Sequence, residues 1–144
     1  GPIDIIILEG WCLGSQPQDA NSLLKPLNKL EEIQDPDMVW RTYVNDQLQT
    51  NYSELFESFD KLIFLKAPGI KAVHNWRQEQ EAKLAQKSNS LNTEIMDESQ
   101  MSEFLQHYER LTRENLNHLS LLADVTMDLN EYHHVTSTFY REKG

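Results

Sequence analysis

Ile3-Asp4-Ile5-Ile6-Ile7-Leu8, followed by Glu9-Gly10-Trp11-Cys12-Leu13-Gly14, is the stretch on which the fold class turns. Its first six residues are a mostly β-branched run with almost no polar alternation, the pattern of a strand covered on both faces. Two glycines then let the backbone turn at the strand's C-terminal end. A second such run, Lys61-Leu62-Ile63-Phe64-Leu65-Lys66, is closed by Ala67-Pro68-Gly69. A third strand is predicted over 123–129. Between them the spacing predicts helices over 21–33 (kinked near Pro26), 35–49, 53–59, 70–87 and 100–116, with a polar loop over 88–97. Asp35-Pro36 reads as a helix start, with Asp35 as N-cap and Pro36 in the first helical position. The tail over 130–144 is polar and ambiguous. Buried strands joined by helical crossovers predict an α/β fold, a parallel sheet with helices on its faces. Ligands in such sheets collect at the C-terminal strand ends, which singles out the loops 9–18, 67–77 and 128–134.

The chain has 144 residues, enough for a single domain over 1–144. Thirteen Lys+Arg against 23 Asp+Glu give a net charge of −10, which argues against a nucleic-acid surface, since phosphate binding needs concentrated positive charge. The single cysteine, Cys12, excludes an internal disulfide and a cysteine zinc cluster, and a reduced, cytoplasmic setting is expected. No apolar run approaches a membrane span, and no signal peptide is visible. The sequence opens Gly1-Pro2 straight into the apolar run, so the chain is expected to be a piece of something longer.

Few residues stand out as chemistry. Glu9 lies at the exit of the first strand beside Gly10, where a carboxylate holds magnesium through water, orients a hydroxyl, or merely caps a turn. Arg77, in Trp76-Arg77-Gln78-Glu79-Gln80-Glu81, has the planar fork that matches a phosphate. A solvated helix face with i,i+4 pairs such as Glu79 with Lys83 is the competing reading. Trp40, Tyr43 and Val44 recur at helical spacing and read as core. His107 and His118 lie too far apart on one helix to share a metal, and adjacent His133 and His134 point in different directions. Cys12 reads as a small buried thiol. The sequence contains no G-x-x-x-x-G-K-S/T phosphate loop; its one Lys-Ser pair, Lys87-Ser88, follows Gln86.

Taken in order, these segments resemble the D-glycerate 3-kinase-like P-loop kinases. The resemblance runs from Ile5-Ile6-Ile7-Leu8-Glu9-Gly10-Trp11-Cys12-x-Gly14 through Leu27-Asn28-x-Leu30-Glu31 and Trp40-Arg41-x-Tyr43-Val44-Asn45. It continues through Ala67-Pro68 and Val73-x-x-Trp76-Arg77-x-x-Gln80-Glu81 to Met101-Ser102, Tyr108-Glu109-Arg110-Leu111-Thr112 and Ala123-Asp124. It implies a P-loop kinase-like three-layer fold and ATP- and magnesium-dependent phosphoryl transfer to a small hydroxy acid, D-glycerate first. By the resemblance, Glu9 is catalytic and holds magnesium through water, and Arg77 stabilises the transferring phosphoryl group. It makes Gly10, Trp11, Gly14, Asn28, Arg41, Tyr43, Trp76, Gln80 and Glu81 substrate-binding and Arg110 nucleotide-binding, with 70–116 forming a lid and its associated helices.

The departures are as informative. In the family a P-loop strand precedes the Glu-Gly-Trp strand in sequence and lies in the sheet between it and the strand at 61–66; neither that strand nor its Gly-Lys-Ser/Thr is present in this sequence. Ser15 also stands where relatives often carry an aromatic residue. The chain alone is therefore expected to be an inactive C-terminal part of a kinase, its incomplete sheet closed by a P-loop half or by strand exchange in a homo-oligomer. The alternatives are a non-catalytic binding or regulatory module descended from such a kinase, and an unrelated acidic α/β interaction domain.

Overall fold

A three-stranded sheet organises the chain, in the order β1 (Ile63–Lys66), β2 (Val125–Leu129), β3 (Val135–Tyr140). The structure is a computed structural model that describes residues 3–87 and 96–142. β1 and β2 run parallel, with Ile63 beside Val125 and Lys66 beside Asp128, and the crossover between them is helical. β2 and β3 are antiparallel, with Val125 beside Tyr140, and their register slips between Asp128 and Leu129. The sheet is therefore mixed, and its third strand comes from the polar tail that the hydropathy pattern left ambiguous. Thr138 and Thr136 alternate there with Phe139 and Val135, and every residue of β3 but Ser137 is exposed, so this hairpin strand has no covered face.

Residues 3–8 do not form the expected buried strand. They are exposed and outside the sheet, with Ile3, Ile5, Ile6 and Ile7 at 77–88% exposure. A strand is held by a hydrogen-bonded neighbour, and among the described residues nothing lies alongside this one. The run keeps its strand-forming composition without a ladder to join.

The helices are α1 (Ala20–Leu23), α2 (Lys29–Gln34), α3 (Val39–Gln49), α4 (Asn51–Glu57), α5 (Ile70–Lys87) and α6 (Glu98–His118), the last running into a 3-10 turn at Leu119–Leu121. The helix expected over 21–33 is split at Pro26 into α1 and α2, each with its own cap. Asp19 accepts from the Asn21 and Ser22 N–H groups, and Asn28 accepts from that of Glu31. α6 opens on a capping box between Asp97 and Gln100.

The start of α3 differs from expectation. Pro36 and Asp37 form a turn, and the helix begins at Val39 behind Met38, which has φ 61°. Asp35 still serves the helix from a distance, its carboxylate accepting from the Trp40 (2.8 Å) and Arg41 (3.2 Å) N–H groups. Nor are Trp40, Tyr43 and Val44 core: they are exposed, and α3 turns Arg41 and Leu48 inward instead. Arg41 can be buried because its Nε donates to the Leu23 carbonyl (2.8 Å) and its Nη1 to the carbonyl (2.7 Å) and carboxylate (3.2 Å) of Asp35.

The apolar core gathers Leu23, Leu48, Met101, Leu105 and Leu119 with the small residues Ala67, Ala72 and Ala123. α6 is its spine, packing against α2 and α5. Gly14 lets the N-terminal loop reach that core. It has φ 80°, and a Cβ there would stand 2.8 Å from Leu62 Cδ2.

Candidate active site

The loop after residue 8 is tied down by two short turns, Leu13 N–H to Gly10 carbonyl and Ser15 N–H to Cys12 carbonyl. These bring Trp11 onto α6. Its ring meets Tyr108 edge-on at 5.1 Å, and its carbonyl accepts from Asn115 Nδ2 at 3.4 Å. Tyr108 in turn packs on Phe104, one helical turn earlier, at 4.9 Å. The Arg77 guanidinium of α5 lies over the Phe104 ring, 5.5 Å from its centre. Trp11, Tyr108, Phe104 and Arg77 thus form one continuous row.

At its α5 end, Arg77 Nη1 donates to Gln80 (2.8 Å) and Nη2 to Glu81 (2.7 Å). Its Nε is buried without an acceptor. The structure therefore joins Arg77, Gln80 and Glu81 into one group and links it to Trp11. The charged helix face is present as well, in the Glu79–Lys83 pair one turn along.

Trp76 looks the other way. Its indole N–H donates to the Glu131 carbonyl at 2.7 Å and its ring stacks on His133 at 4.3 Å. His133 sits in the β2–β3 turn at φ 65°. Beside this stack opens a groove of about 570 Å³ lined by Val73, Trp76, Arg77, Gln80, Leu84 and His133.

Glu9 is exposed just ahead of the Gly10 turn. Gly10 and Gly14 shape that loop, and Cys12 within it is half-buried. Tyr43 is exposed on α3. Among the described residues no group of three or more His, Cys, Asp or Glu is placed to hold a metal ion.

A second cluster centres on Glu31. Arg110 donates from Nε (2.7 Å) and Nη2 (2.6 Å) to its two carboxylate oxygens, and the Leu27 N–H adds a third bond at 2.7 Å. The remaining Arg110 donors go to Gln18 Oε1, the Ser22 carbonyl and the Lys25 carbonyl. All five guanidinium N–H groups thus have protein acceptors. Burial raises the Glu31 pKa. Hydrogen bonds from Arg110 and Leu27, with the charges of Arg110 and Arg41, outweigh that and hold it below the ordinary value. Asn28 belongs to the same cluster, donating to the Gln106 carbonyl (2.9 Å) and the Glu109 carboxylate (3.1 Å). Asn28, Arg41 and Arg110 accordingly brace α1, α2 and α6 and do not join the Trp11–Arg77 row.

Three participants are not among the site residues expected from sequence. Phe104 and Tyr108 carry the signal of an aromatic pair at i,i+4 on α6, readable as a surface once Trp11 is known to lie on it. His133 had no such signal, because the turn that presents it belongs to a hairpin the tail composition hides.

No family model matches the chain. Over 104 residues it is 29% identical to the uncharacterized kinase mug58 of Schizosaccharomyces pombe, a match covering 72% of this chain and 35% of that protein. In structure it is similar to a D-glycerate 3-kinase from Cryptococcus neoformans, with a TM-score of 0.74 at 19% identity, over 98% of this chain and 51% of that one. This is the fold of the D-glycerate 3-kinase-like kinases. The YGR205w protein is also similar, with a TM-score of 0.61 at 24% identity over 97% of this chain and 49% of that one. The chain thus spans about half of each of these solved structures and about a third of the yeast kinase. No described helix is long and apolar enough to cross a membrane.

Proposed function

We propose that this chain is the C-terminal part of an ATP-dependent small-molecule kinase whose acceptor is a hydroxy acid, D-glycerate first. The observation that carries the reading is the likeness to a D-glycerate 3-kinase over 98% of the chain. The lack of a phosphate loop in these 144 residues supports the companion statement that the chain alone does not catalyse.

The chain's own residues divide the work as follows. Trp11, held edge-on by Tyr108, walls the acceptor pocket. Arg77 turns its positive fork toward the transferring phosphoryl group. Gln80 and Glu81 fix the plane of that fork, and Phe104 supports it from beneath. The nucleotide's magnesium would offset charge on the phosphates. Magnesium in phosphoryl-transfer sites needs one or two carboxylates with phosphates and water completing its shell, a requirement that the single exposed Glu9 fits. Nothing in the Arg110 cluster is spare for a nucleotide, so its part is to hold the loop carrying Gln18 and Ser22 against α6.

The test is to incubate the chain with ATP, magnesium and D-glycerate, alone and with a separately produced P-loop half of the fungal D-glycerate 3-kinase. The reading expects no phosphoglycerate from the chain alone and its formation with both parts. A stable complex of both parts that phosphorylates neither glycerate nor any other hydroxy acid would sink it. A non-catalytic binding module is the reading that would then remain.

A further inference from the structure

Trp76 and Arg77 are consecutive on α5, so their side chains leave the helix about 100° apart. Each is tied to a different element. Arg77 lies over Phe104 of α6. Trp76 is tied twice to the β2–β3 turn: its indole N–H donates to the Glu131 carbonyl at 2.7 Å, and its ring stacks on His133 at 4.3 Å with the planes 29° from parallel. A helix tied on one face can still roll about that tie. Ties on two faces fix the roll, and with it the direction in which Arg77 points.

The turn is framed so as to present His133. The Asn130 side-chain oxygen accepts from the Tyr132 (2.9 Å) and His134 (3.0 Å) N–H groups. The Asn130 N–H donates to the His134 carbonyl (2.9 Å), and its carbonyl accepts from the His133 N–H (3.1 Å). Inside that frame His133 holds φ 65°, one of two non-glycine residues with positive φ among the described ones. Such conformations persist where the surroundings over-determine them, and histidine accepts this one more readily than most residues. Trp76, for its part, keeps no polar group for a substrate. Indole carries a single donor, and the Glu131 carbonyl takes it.

We infer that the β2–β3 turn is a clasp on α5, and that Trp76 and His133 are positioning residues that aim Arg77. Both halves of the clasp belong to this chain and are in contact in it. What Arg77 then does to a phosphoryl group rests on the kinase reading; the clasp does not.

Hydrogen exchange and nuclear magnetic resonance on the chain itself decide it. The Trp76 indole proton should exchange more slowly than that of Trp40, whose side chain stands in solvent. His133→Asn keeps a residue suited to positive φ and removes the ring. It should speed exchange of the Trp76 indole and of the α5 amides about tenfold, with β2, β3 and α6 unchanged. The Arg77 Nε–H resonance should move away from its position over Phe104 in the same variant. His133→Tyr returns a stacking ring and should return most of the protection. A Trp76 indole proton as fast as that of Trp40 overturns the clasp. So does a His133→Asn chain with unchanged α5 exchange and Arg77 resonance, or one loosened equally in every element. In the two-part phosphorylation assay, His133→Asn should lower kcat several-fold, leave KM for the hydroxy acid unchanged, and add nothing in an Arg77→Ala background. A raised KM at intact kcat would set the pair against the substrate and overturn the inference as well. Absence of product from the unaltered parts defeats the kinase reading alone, and the exchange result still judges the clasp.

Discussion

Arg110 on α6 grips Glu31 on α2 through two parallel bonds of 2.7 and 2.6 Å, and both side chains are almost wholly withdrawn from solvent. A fork-to-fork pair of this kind is geometrically specific, and its partners are costly to separate once desolvated. Arg110→Ala leaves the Glu31 carboxylate buried with Leu27 N–H as its remaining hydrogen bond. It should lower unfolding free energy by about 3 kcal/mol, and Arg110→Lys should recover only a fraction because lysine lacks the fork. Urea denaturation of the three proteins decides it. Indistinguishable midpoints would show that the pair does not bind α2 to α6.

A second prediction concerns acid. The Leu62 N–H and Lys61 both bond Asp124, with Arg141 adding a weaker attraction, and together they bring its pKa down to about 2. Its folded value lies below the ordinary 3.8, so the stabilisation is complete above that value and drains away as pH falls from about 4 to about 2. Asp124→Asn should flatten that limb of the stability profile while leaving the part due to Glu31, which is also held below its ordinary value. Thermal melting followed from pH 6 downward reads both. An unchanged acid limb in the variant would remove Asp124 from the account.

How far these features could be seen in advance depended on whether their signal was local. The runs at 61–66 and 123–129 announced β1 and β2 as strands but not their burial, for Ile63 and Leu65 of β1 are exposed. Residues 3–8 carried the same pattern and are exposed, because composition records a capacity to pair and cannot supply the neighbour. Arg41 misled in the opposite sense. Its burial rests on carbonyls at Leu23 and Asp35, contacts between segments that no helical wheel displays, and with it inward Trp40 and Tyr43 are turned out. Gln80 and Glu81 were named with Arg77 only through the family resemblance, and their i+3 and i+4 spacing on α5 is what joins the three. That Trp11 lies on the same row was not legible, because α6 supplies the bridge from a hundred residues away.

Gly14 provides a third test, of the loop that bears Trp11. An alanine there must hold φ near 80° and put its methyl against Leu62 and Leu119, with first contact at 2.8 Å. Gly14→Ala should therefore cost about 2 kcal/mol, combining backbone strain with overpacking. Gly10→Ala meets only Leu13, at 3.2 Å and with no positive φ, and should cost well under half as much. Equal losses in chemical denaturation would mean that the close approach of Gly14 to the core is not what fixes the loop.

The last prediction separates a positioning role from a chemical one on the proposed kinase reading. Arg77 is held by Gln80 and Glu81 at its rim and by the Phe104 ring beneath. If its fork meets charge that develops only during transfer, Arg77→Ala should lower kcat about 100-fold and leave KM for the hydroxy acid nearly unchanged. Phe104→Leu keeps an apolar support but loses the ring's attraction for the guanidinium, so it should reduce kcat several-fold in the same manner. With Trp11 as the proposed acceptor wall, Trp11→Ala should act chiefly on KM. Steady-state kinetics on the three variants tells these apart. An Arg77→Ala enzyme with intact kcat and a raised KM would move the arginine from the phosphoryl group to substrate binding. An enzyme unaltered in both would return it to the charged face of α5, alongside Glu79 and Lys83.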